Sequence, residues 1–466
     1  MTNSVENEFN VGANMSTPPA YRALEESVLN EVSDIATTSA FSDLTLPESP
    51  SAPQVDICLA HLKLLSAFEE LKTRTGMRNG LWDIWDSRAY NASQDAERDP
   101  KDVLALLREK RWVVYVARAV DRYEAWWNSF VPNMLTEAAM IDGKEKYVNF
   151  TQSQPMIWKE DMLPPLDVLL VWHTHMLNPR NYLEDCLRFG HGSLWAAGLP
   201  WLIVNHAIND RFEYTISEAT VANWTQKTGK AWANENDAMV KVTKCPACTY
   251  SHEIPWTTSG QAEDSKGVRR PGIVGEGFGD GRLNWQCTIC NITINHDVLR
   301  LAKFQRDVRN LINNDWPMPG TVIHSQTGLI EKQNADGDQL FPNRLIRKGI
   351  LVEVVDLLKP GGSGEKSMMA VKELIESVTG PKGYRRTDSK QLKAVDKDPK
   401  GFSSLTIHQV SLSSRIHVRR MMSRYWQNHF PFALDLSGAV MRQGVFVNKM
   451  HKVYDQESVG MMEKRY

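Results

Sequence analysis

The sequence predicts a mostly α fold, in which a multi-helix domain carries an inserted small β zinc ribbon and is followed by a C-terminal helical region. Three observations support this prediction. Several segments repeat apolar residues at the helical spacing, four cysteines form two C-x2-C pairs, and the composition is that of a globular protein. With 466 residues, the chain is long enough for about two to four domains.

Changes in composition divide the chain into four predicted segments. They are a disordered, acidic N-terminal segment with a linker (1–54), a helical domain (55–239), the zinc ribbon (240–298) and a mainly helical C-terminal region with a basic tail (299–466). The first boundary follows a proline- and serine-rich stretch that is typical of a linker. Because no apolar run approaches the ~20 residues that a membrane span requires, no membrane association is expected.

Each predicted helix has a recognisable stripe, start or stop. The first covers residues 55–75, and its apolar stripe consists of Leu59, Leu62, Leu65, Phe68 and Leu71. A second helix begins at Asp99 with Pro100 in its first turn, and a third is capped by Ser217. The remaining predicted helices cover 21–35, 296–313, 365–378 and 404–426.

Four cysteines have the spacing of metal ligands: Cys245, Cys248, Cys287 and Cys290. Each C-x2-C pair presents two sulfurs to one ion, and two pairs complete a tetrahedral site of four thiolates. This pattern predicts one Zn²⁺ with a structural role, because four protein ligands leave no position for a substrate or an activated water. His252 and His296 lie near the pairs and remain alternative ligands in place of one sulfur.

Other uses of these cysteines fit the sequence less well. A disulfide framework requires an oxidising compartment, but residues 1–20 lack the features of a signal peptide, which favours a cytoplasmic or nuclear location. A c-type haem site requires His directly after the second cysteine of a pair, where Thr249 and Asn291 stand. The two remaining cysteines, Cys58 and Cys186, are predicted to be buried free thiols. The 38 residues between the pairs include a glycine-rich loop that is too flexible for a regular element.

A second unusual feature is the stretch LLVWHTHMLNPRNYLEDC, which covers residues 169–186. On a strand, His173 and His175 would share a face and a metal, whereas on a helix they would lie about 200° apart. The Asn178-Pro179 pair predicts the start of a helix, which places the histidines at the end of the preceding element. Two interpretations remain open: buried structural histidines, or a second metal site with the residues His173, His175, Asp185 and His206.

This stretch resembles the signature of the glycine-rich domain-containing protein family. The segments RRMMSRYWQN (419–428) and PFALDLSGAV (431–440) resemble the fungal branch of that family. The resemblance extends over roughly residues 55–455, and the histidine motif and the paired C-x2-C are its most specific parts. It implies a soluble, mainly helical protein.

Two classes of function follow from these motifs. The leading interpretation is an interaction or regulatory module, not an enzyme, that binds protein partners through a zinc ribbon on a helical scaffold. The alternative is a metal-dependent hydrolase that uses His173 and His175, since three apolar runs end in His, at His175, His206 and His324. The flanking segments read as helices rather than as eight βα units, which weighs against a barrel hydrolase.

The distribution of charge adds a third class, nucleic-acid binding. The net charge is only −2, but residues 1–100 hold 7 basic and 16 acidic side chains, whereas residues 381–466 hold 16 basic and 7 acidic ones. Such asymmetry is consistent with an anionic partner for the tail, with attraction between the two ends of the chain, or with a solvated basic face. The candidate contact residues are Lys266, Arg269, Arg270 and Arg282 near the ribbon, and Arg415, Arg419, Arg420 and Arg424 near the C-terminus. No recognised nucleic-acid-binding motif accompanies them.

Overall fold

A computed structural model of the protein describes residues 55–96, 99–209, 211–260, 273–360, 365–379 and 410–444. These residues form a mostly helical protein with two small antiparallel sheets. The helices are α1 Val55–Met77, α2 Arg88–Ala96, α3 Pro100–Trp127, α4 Glu137–Asp142, α5 Glu145–Val148, α6 Leu166–Met176, α7 Pro179–Phe189, α8 Gly192–Ala197, α9 Trp201–Ala207, α10 Glu218–Thr228, α11 His296–Asn314, α12 Phe341–Leu345, α13 Leu351–Asp356, α14 Met368–Thr379 and α15 Leu412–Ser423. The strands are β1 Val240–Lys244, β2 Ser251–Pro255, β3 Trp285–Gln286 and β4 Thr293–Ile294.

Two helices begin with the side-chain caps that the sequence predicts. The carboxylate of Asp99 accepts a hydrogen bond from the N–H of Lys101 at the start of α3, and Ser217 accepts one from Thr220 at the start of α10. Helix α11 begins at His296, as predicted from the sequence. The helix predicted over 21–35 lies outside the described residues.

The buried face of α1 differs from the predicted stripe. Leu59 and Leu62 are 53% and 59% exposed, so their predicted place on the buried stripe is wrong. The apolar side chains of α1 that are buried are Ala60, Leu64, Ala67, Phe68 and Leu71, and the helix packs against α3 and α9. Leucines occur on more than one face of α1, so the spacing alone allowed two stripes, and packing selects one of them.

A large hydrophobic core runs through the described residues, and a second, smaller cluster contains Ile84, Ala89, Ala92, Val103 and Leu107. The large core includes aromatic side chains of α3 and α6, among them Trp127 and Trp172, and it extends to Phe432 and Val440 near the C-terminus. The ribbon contributes Ile254 and Ile294 to the same core. The core therefore crosses the predicted boundaries near residues 240 and 298, and the four-segment division stays a prediction.

The two sheets are hairpins, and each hairpin turn holds one cysteine pair. Strand β1 pairs with β2, with Val240 opposite Pro255 and Lys244 opposite Ser251. Strand β3 pairs with β4, with Trp285 opposite Ile294. Among the described residues, no helix combines the length and the apolar composition of a bilayer-spanning segment.

Two glycines before the second hairpin, Gly275 and Gly277, pack closely against their surroundings. A Cβ on Gly275 would lie 2.1 Å from Oδ2 of Asp280, and one on Gly277 would lie 2.6 Å from the carbonyl oxygen of Pro255. Residues 273–284 form no helix or strand, as predicted. The reason is close packing of the backbone rather than the flexibility that the sequence suggested. Glycine is required at positions 275 and 277 because the backbone there approaches its neighbours too closely to leave room for a side chain.

Candidate metal centre

The four cysteines predicted to bind metal lie together. Their sulfur atoms are all within 4.8 Å of one another, and all four thiols are free. Sγ of Cys245 lies 3.6 Å from Sγ of Cys290, and Sγ of Cys248 lies 3.6 Å from Sγ of Cys287. A tetrahedral ion with bonds of about 2.3 Å holds its sulfurs about 3.8 Å apart. The cluster therefore has the size and the ligand chemistry of a four-thiolate metal site.

Both cysteine pairs lie in backbone loops of the same design. In each loop, the N–H of the first cysteine donates to the carbonyl five residues later, and the N–H four residues later donates back to the first cysteine. The bonds are Cys245 to Tyr250 (2.7 Å), Thr249 to Cys245 (2.9 Å), Cys287 to Ile292 (2.9 Å) and Asn291 to Cys287 (3.0 Å). The residue after each pair has a left-handed φ, 64° at Thr249 and 59° at Asn291. This shared geometry directs the sulfurs of both loops to one point.

The surroundings of Cys245 and Cys287 shift the pKa values of these two thiols in opposite directions. Burial raises the pKa of Cys245 to about 12. Burial also raises the pKa of Cys287, but hydrogen bonds from the N–H groups of Cys290 and Ile289, together with the ring of His252, outweigh it and lower this pKa to about 5. The site thus favours a thiolate at Cys287, and a bound Zn²⁺ would keep all four sulfurs deprotonated.

His252 and His296 do not replace a sulfur ligand. Nε2 of His252 lies 3.2 Å from Sγ of Cys287, where it acts as a hydrogen-bonding neighbour of that sulfur. Nε2 of His296 lies 2.9 Å from the carbonyl oxygen of Asp280. In the part of the chain that the structure describes, the group of potential metal ligands contains the four cysteines alone.

His175 lies in α6, in a fully buried polar network. Its Nδ1 is 3.0 Å from the hydroxyl of Tyr123, and its Nε2 is 3.1 Å from Oδ2 of Asp185. The second contact is not aligned with the ring N–H direction, so it is an electrostatic contact rather than a linear hydrogen bond. Asp185 also accepts from Arg188 at 3.0 Å and from the N–H of Ala433 at 2.7 Å. Burial raises the pKa of Asp185, but His175 and Arg188 outweigh it and lower this pKa.

His173 lies on another side of α6 and has different neighbours. Its Nε2 is 3.0 Å from Nε2 of His61 in α1, and its Nδ1 is 3.5 Å from the amide of Gln443. His206 is exposed on α9. The structure therefore brings His175 and Asp185 together but separates them from His173 and His206. Sequence reasoning missed His61, because no local motif links residues 112 positions apart.

The rest of the histidine motif fills the interior. The indole N–H of Trp172 donates to the hydroxyl of Tyr182 at 3.1 Å. Cys186 is a buried free thiol, as predicted, whereas the prediction for Cys58 is wrong because that thiol is exposed. Cys58 lies in the first turns of α1, on a part of the helix surface that no other described element covers.

Half of the predicted basic residues near the C-terminus have internal partners. Arg424 and Arg420 lie 2.7 Å and 3.9 Å from the buried carboxylate of Glu184. Arg415 and Arg419 are exposed on α15, and Arg282 is exposed near the ribbon. The predicted contacts Lys266, Arg269 and Arg270 lie outside the described residues.

A comparison with known protein families gives a match for part of the chain. The model of a family described as glycine-rich domain-containing protein-like matches residues 82–185. The matched region contains α3, α6 and the histidine motif as far as Asp185, and it ends before the first cysteine of the metal centre. No match was found among curated proteins or among solved structures. The match does not extend to the C-terminal segments that resemble the fungal branch, and nothing in it supports that branch.

Proposed function

We propose that this protein is a helical scaffold whose ribbon binds one structural Zn²⁺ and docks a protein partner. The observation that carries the proposal is the closed set of four cysteines at the tips of two hairpins. Four sulfur ligands complete the coordination of zinc, so the metal would hold the two hairpins together rather than present an open position to a substrate.

Exposed apolar side chains on the ribbon support a docking role. Tyr250 and Ile289 belong to the two cysteine loops and are 50% and 61% exposed, and Val242 on β1 is 61% exposed. A rigid, zinc-fixed loop presents such side chains at low entropic cost, which favours their use as anchors in a protein interface. The partner is accordingly a protein with an apolar recess.

The docking role is tested with a double variant of the full chain, Tyr250→Ala with Ile289→Ser. A matched control replaces two exposed apolar residues outside the ribbon, Val131→Ser with Leu329→Ser; these residues are 89% and 54% exposed. Proteins that bind the wild type are recovered, and the affinity of each purified partner is measured against all three proteins. We expect the ribbon variant to lose at least tenfold in affinity while it retains zinc, and the control to bind normally. Equal binding by both variants would refute the docking surface.

The two other functional classes have weaker support. A hydrolase built on His173 and His175 requires both rings to face one ion, but they contact different residues. A nucleic-acid interface on the late helix would rely on Arg415 and Arg419, since Arg424 is paired with Glu184. Binding to nucleic acid with a steep dependence on salt would favour that class over a protein partner.

A further inference from the structure

His61 and His173 contact each other where α1 packs on α6. Nε2 of one ring lies 3.0 Å from Nε2 of the other, and the rings come from α1 and α6. His173 is buried, whereas His61 is half-buried and stands edge-on to the ring of Trp201 in α9. The pair is therefore within reach of solvent from one side.

The hydroxyl of Thr174 and the amide of Gln443 bear on which ring nitrogen of His173 carries the proton. The single hydroxyl proton of Thr174 has two carbonyl oxygens nearby, Leu170 O at 2.9 Å and Oε1 of Gln443 at 2.6 Å, and it can serve only one of them. Oxygen and nitrogen of a glutamine amide have nearly the same shape, so the amide orientation follows from the hydrogen bonds. With the amide turned over, its NH₂ donates to Thr174, the hydroxyl donates to Leu170, and both contacts are satisfied.

The turned amide fixes the tautomer of His173. The carbonyl oxygen of Gln443 then faces Nδ1 of His173, at the position that lies 3.5 Å away. With the amide in this orientation, Nδ1 carries the proton and the lone pair of Nε2 points at His61. A histidine whose second nitrogen donates to a carbonyl is oriented in the manner of most metal-binding histidines.

We propose that His61 and His173 bind a divalent transition-metal ion through their two Nε2 atoms. Bonds of about 2.0 Å to a tetrahedral ion separate two ring nitrogens by about 3.3 Å, so the rings need to part by only a few tenths of an ångström. Two neutral imidazoles suit Zn²⁺, Cu²⁺ or Ni²⁺. No third His, Cys, Asp or Glu of the described residues joins the pair, so water or an external ligand would complete the coordination.

The protonation of the two rings is compatible with this role. Burial lowers the pKa of His61. Burial, followed by the neighbouring His61, lowers the pKa of His173 to about 4. Both rings are therefore neutral at pH 7 and offer lone pairs. An ion held by two histidines and water would exchange readily. This property would distinguish it from an ion held by the four cysteines.

The test uses the full chain, loaded with zinc and carrying Cys58→Ser to remove the exposed thiol on α1. Co²⁺ is titrated and followed by visible absorption, since a nitrogen-and-water site gives ligand-field bands without the sulfur charge-transfer band of a thiolate site. We expect the protein to bind one equivalent of Co²⁺ in addition to the zinc already bound, with ligand-field bands and without a sulfur charge-transfer band. His61→Ala should weaken this binding at least tenfold, and Gln443→Leu should weaken it by about tenfold through the lost orientation of His173.

The matched control is His206→Ala, which removes an exposed histidine of the neighbouring α9 and should leave the binding unchanged. Absence of the additional equivalent, or binding that survives His61→Ala, would overturn the proposal and leave an N–H···N hydrogen bond between the rings. A sulfur charge-transfer band would also overturn it, because the ion would then occupy the cysteine cluster. Zinc content is measured separately, so failure of this site is distinct from failure of the ribbon site.

Discussion

Lys110 and Asp280 connect the long helix α3 to the loop that leads into the second hairpin. Nζ of Lys110 lies 2.7 Å from Oδ1 of Asp280, whose side chain is fully buried. The same carboxylate accepts hydrogen bonds from the hydroxyls of Thr257 and Ser259 and from the N–H groups of Thr258 and Gly277. Burial raises the pKa of Asp280, but the charge of Lys110 and these donors outweigh it and lower this pKa. The ribbon is thus held to the helical body by a buried charge as well as by apolar contacts.

Removal of this carboxylate should be costly. We expect Asp280→Ala to lower the free energy of unfolding by about 3 kcal/mol, because it leaves Lys110 and several buried donors without their acceptor. Urea unfolding measures the change. The control is Asp142→Ala, which breaks the exposed pair of Asp142 with Lys144 at 3.5 Å and should cost less than about 0.5 kcal/mol. Equal effects of the two variants would show that the buried interactions of Asp280 do not stabilise the fold more than an exposed ion pair does.

The cysteine cluster should hold one zinc ion per chain. Cys287→Ser should abolish stoichiometric zinc, because it removes the sulfur that its surroundings most favour as a thiolate. Cys58→Ser should keep the metal, since that thiol is exposed and distant in sequence. Elemental analysis of the purified proteins gives the stoichiometry. Hydrogen exchange with and without a chelator should show loss of protection in β1–β4 first. Wild-type protein without zinc would exclude the proposed metal.

The packing of the glycine loop can be tested with two neighbouring alanine substitutions. Gly277→Ala should lower the free energy of unfolding by about 2 kcal/mol, because its Cβ would meet backbone atoms of Pro255 and Thr257 at 2.6 and 2.7 Å. Gly281→Ala should be neutral or slightly stabilising, since no atom lies within 4 Å of its Cβ. Thermal unfolding compares the two. Similar behaviour would mean that the loop is as loose as its composition suggested.

Local features of the fold were predictable from the sequence, and non-local ones were not. The caps at Asp99 and Ser217 and the two C-x2-C pairs act through neighbouring residues, so the sequence indicates them directly. The contact of His61 with His173 depends on how α1 packs on α6, and no spacing rule contains that information. The exposure of Leu59 depends on the same packing.

The use of charge was the least predictable feature. The basic C-terminal region suggested an external anionic partner, the acidic residues 1–100 or a solvated face, yet Arg424 is paired with Glu184, which lies outside residues 1–100. Glu184 stands in the histidine motif, more than 200 residues earlier in the chain. Composition gives the number of charges in a segment but does not say which carboxylate they will meet.

Acid should destabilise the protein through His191. This ring is 4% exposed and lies 4.8 Å, centroid to centroid, from the ring of Trp127. Burial lowers its pKa to about 4, below an unfolded value of about 6.5. Between these two pH values the unfolded chain binds the proton more tightly, so stability should fall as the pH falls from 6.5 to 4. We expect His191→Asn to remove about 1–3 kcal/mol of this pH-dependent loss, measured by urea unfolding at several pH values. His206→Asn, at an exposed position, should leave the pH profile unchanged.

His175 should stabilise the helical body through its buried contacts. Truncation to Ala would leave the hydroxyl of Tyr123 without its ring partner and would remove the ring that contacts Oδ2 of Asp185. A buried polar group that loses its partner costs about 1–3 kcal/mol, so we expect a destabilisation of that size in urea unfolding. A double-mutant cycle with Tyr123→Phe separates the hydrogen bond from the lost volume of the ring. If the bond matters, the two substitutions together should cost less than the sum of their separate effects, by about 1 kcal/mol. Strict additivity would show that His175 acts by packing alone. Unchanged stability of the His175→Ala variant would contradict a structural role. His175 would then again be a candidate for a metal-binding or catalytic role.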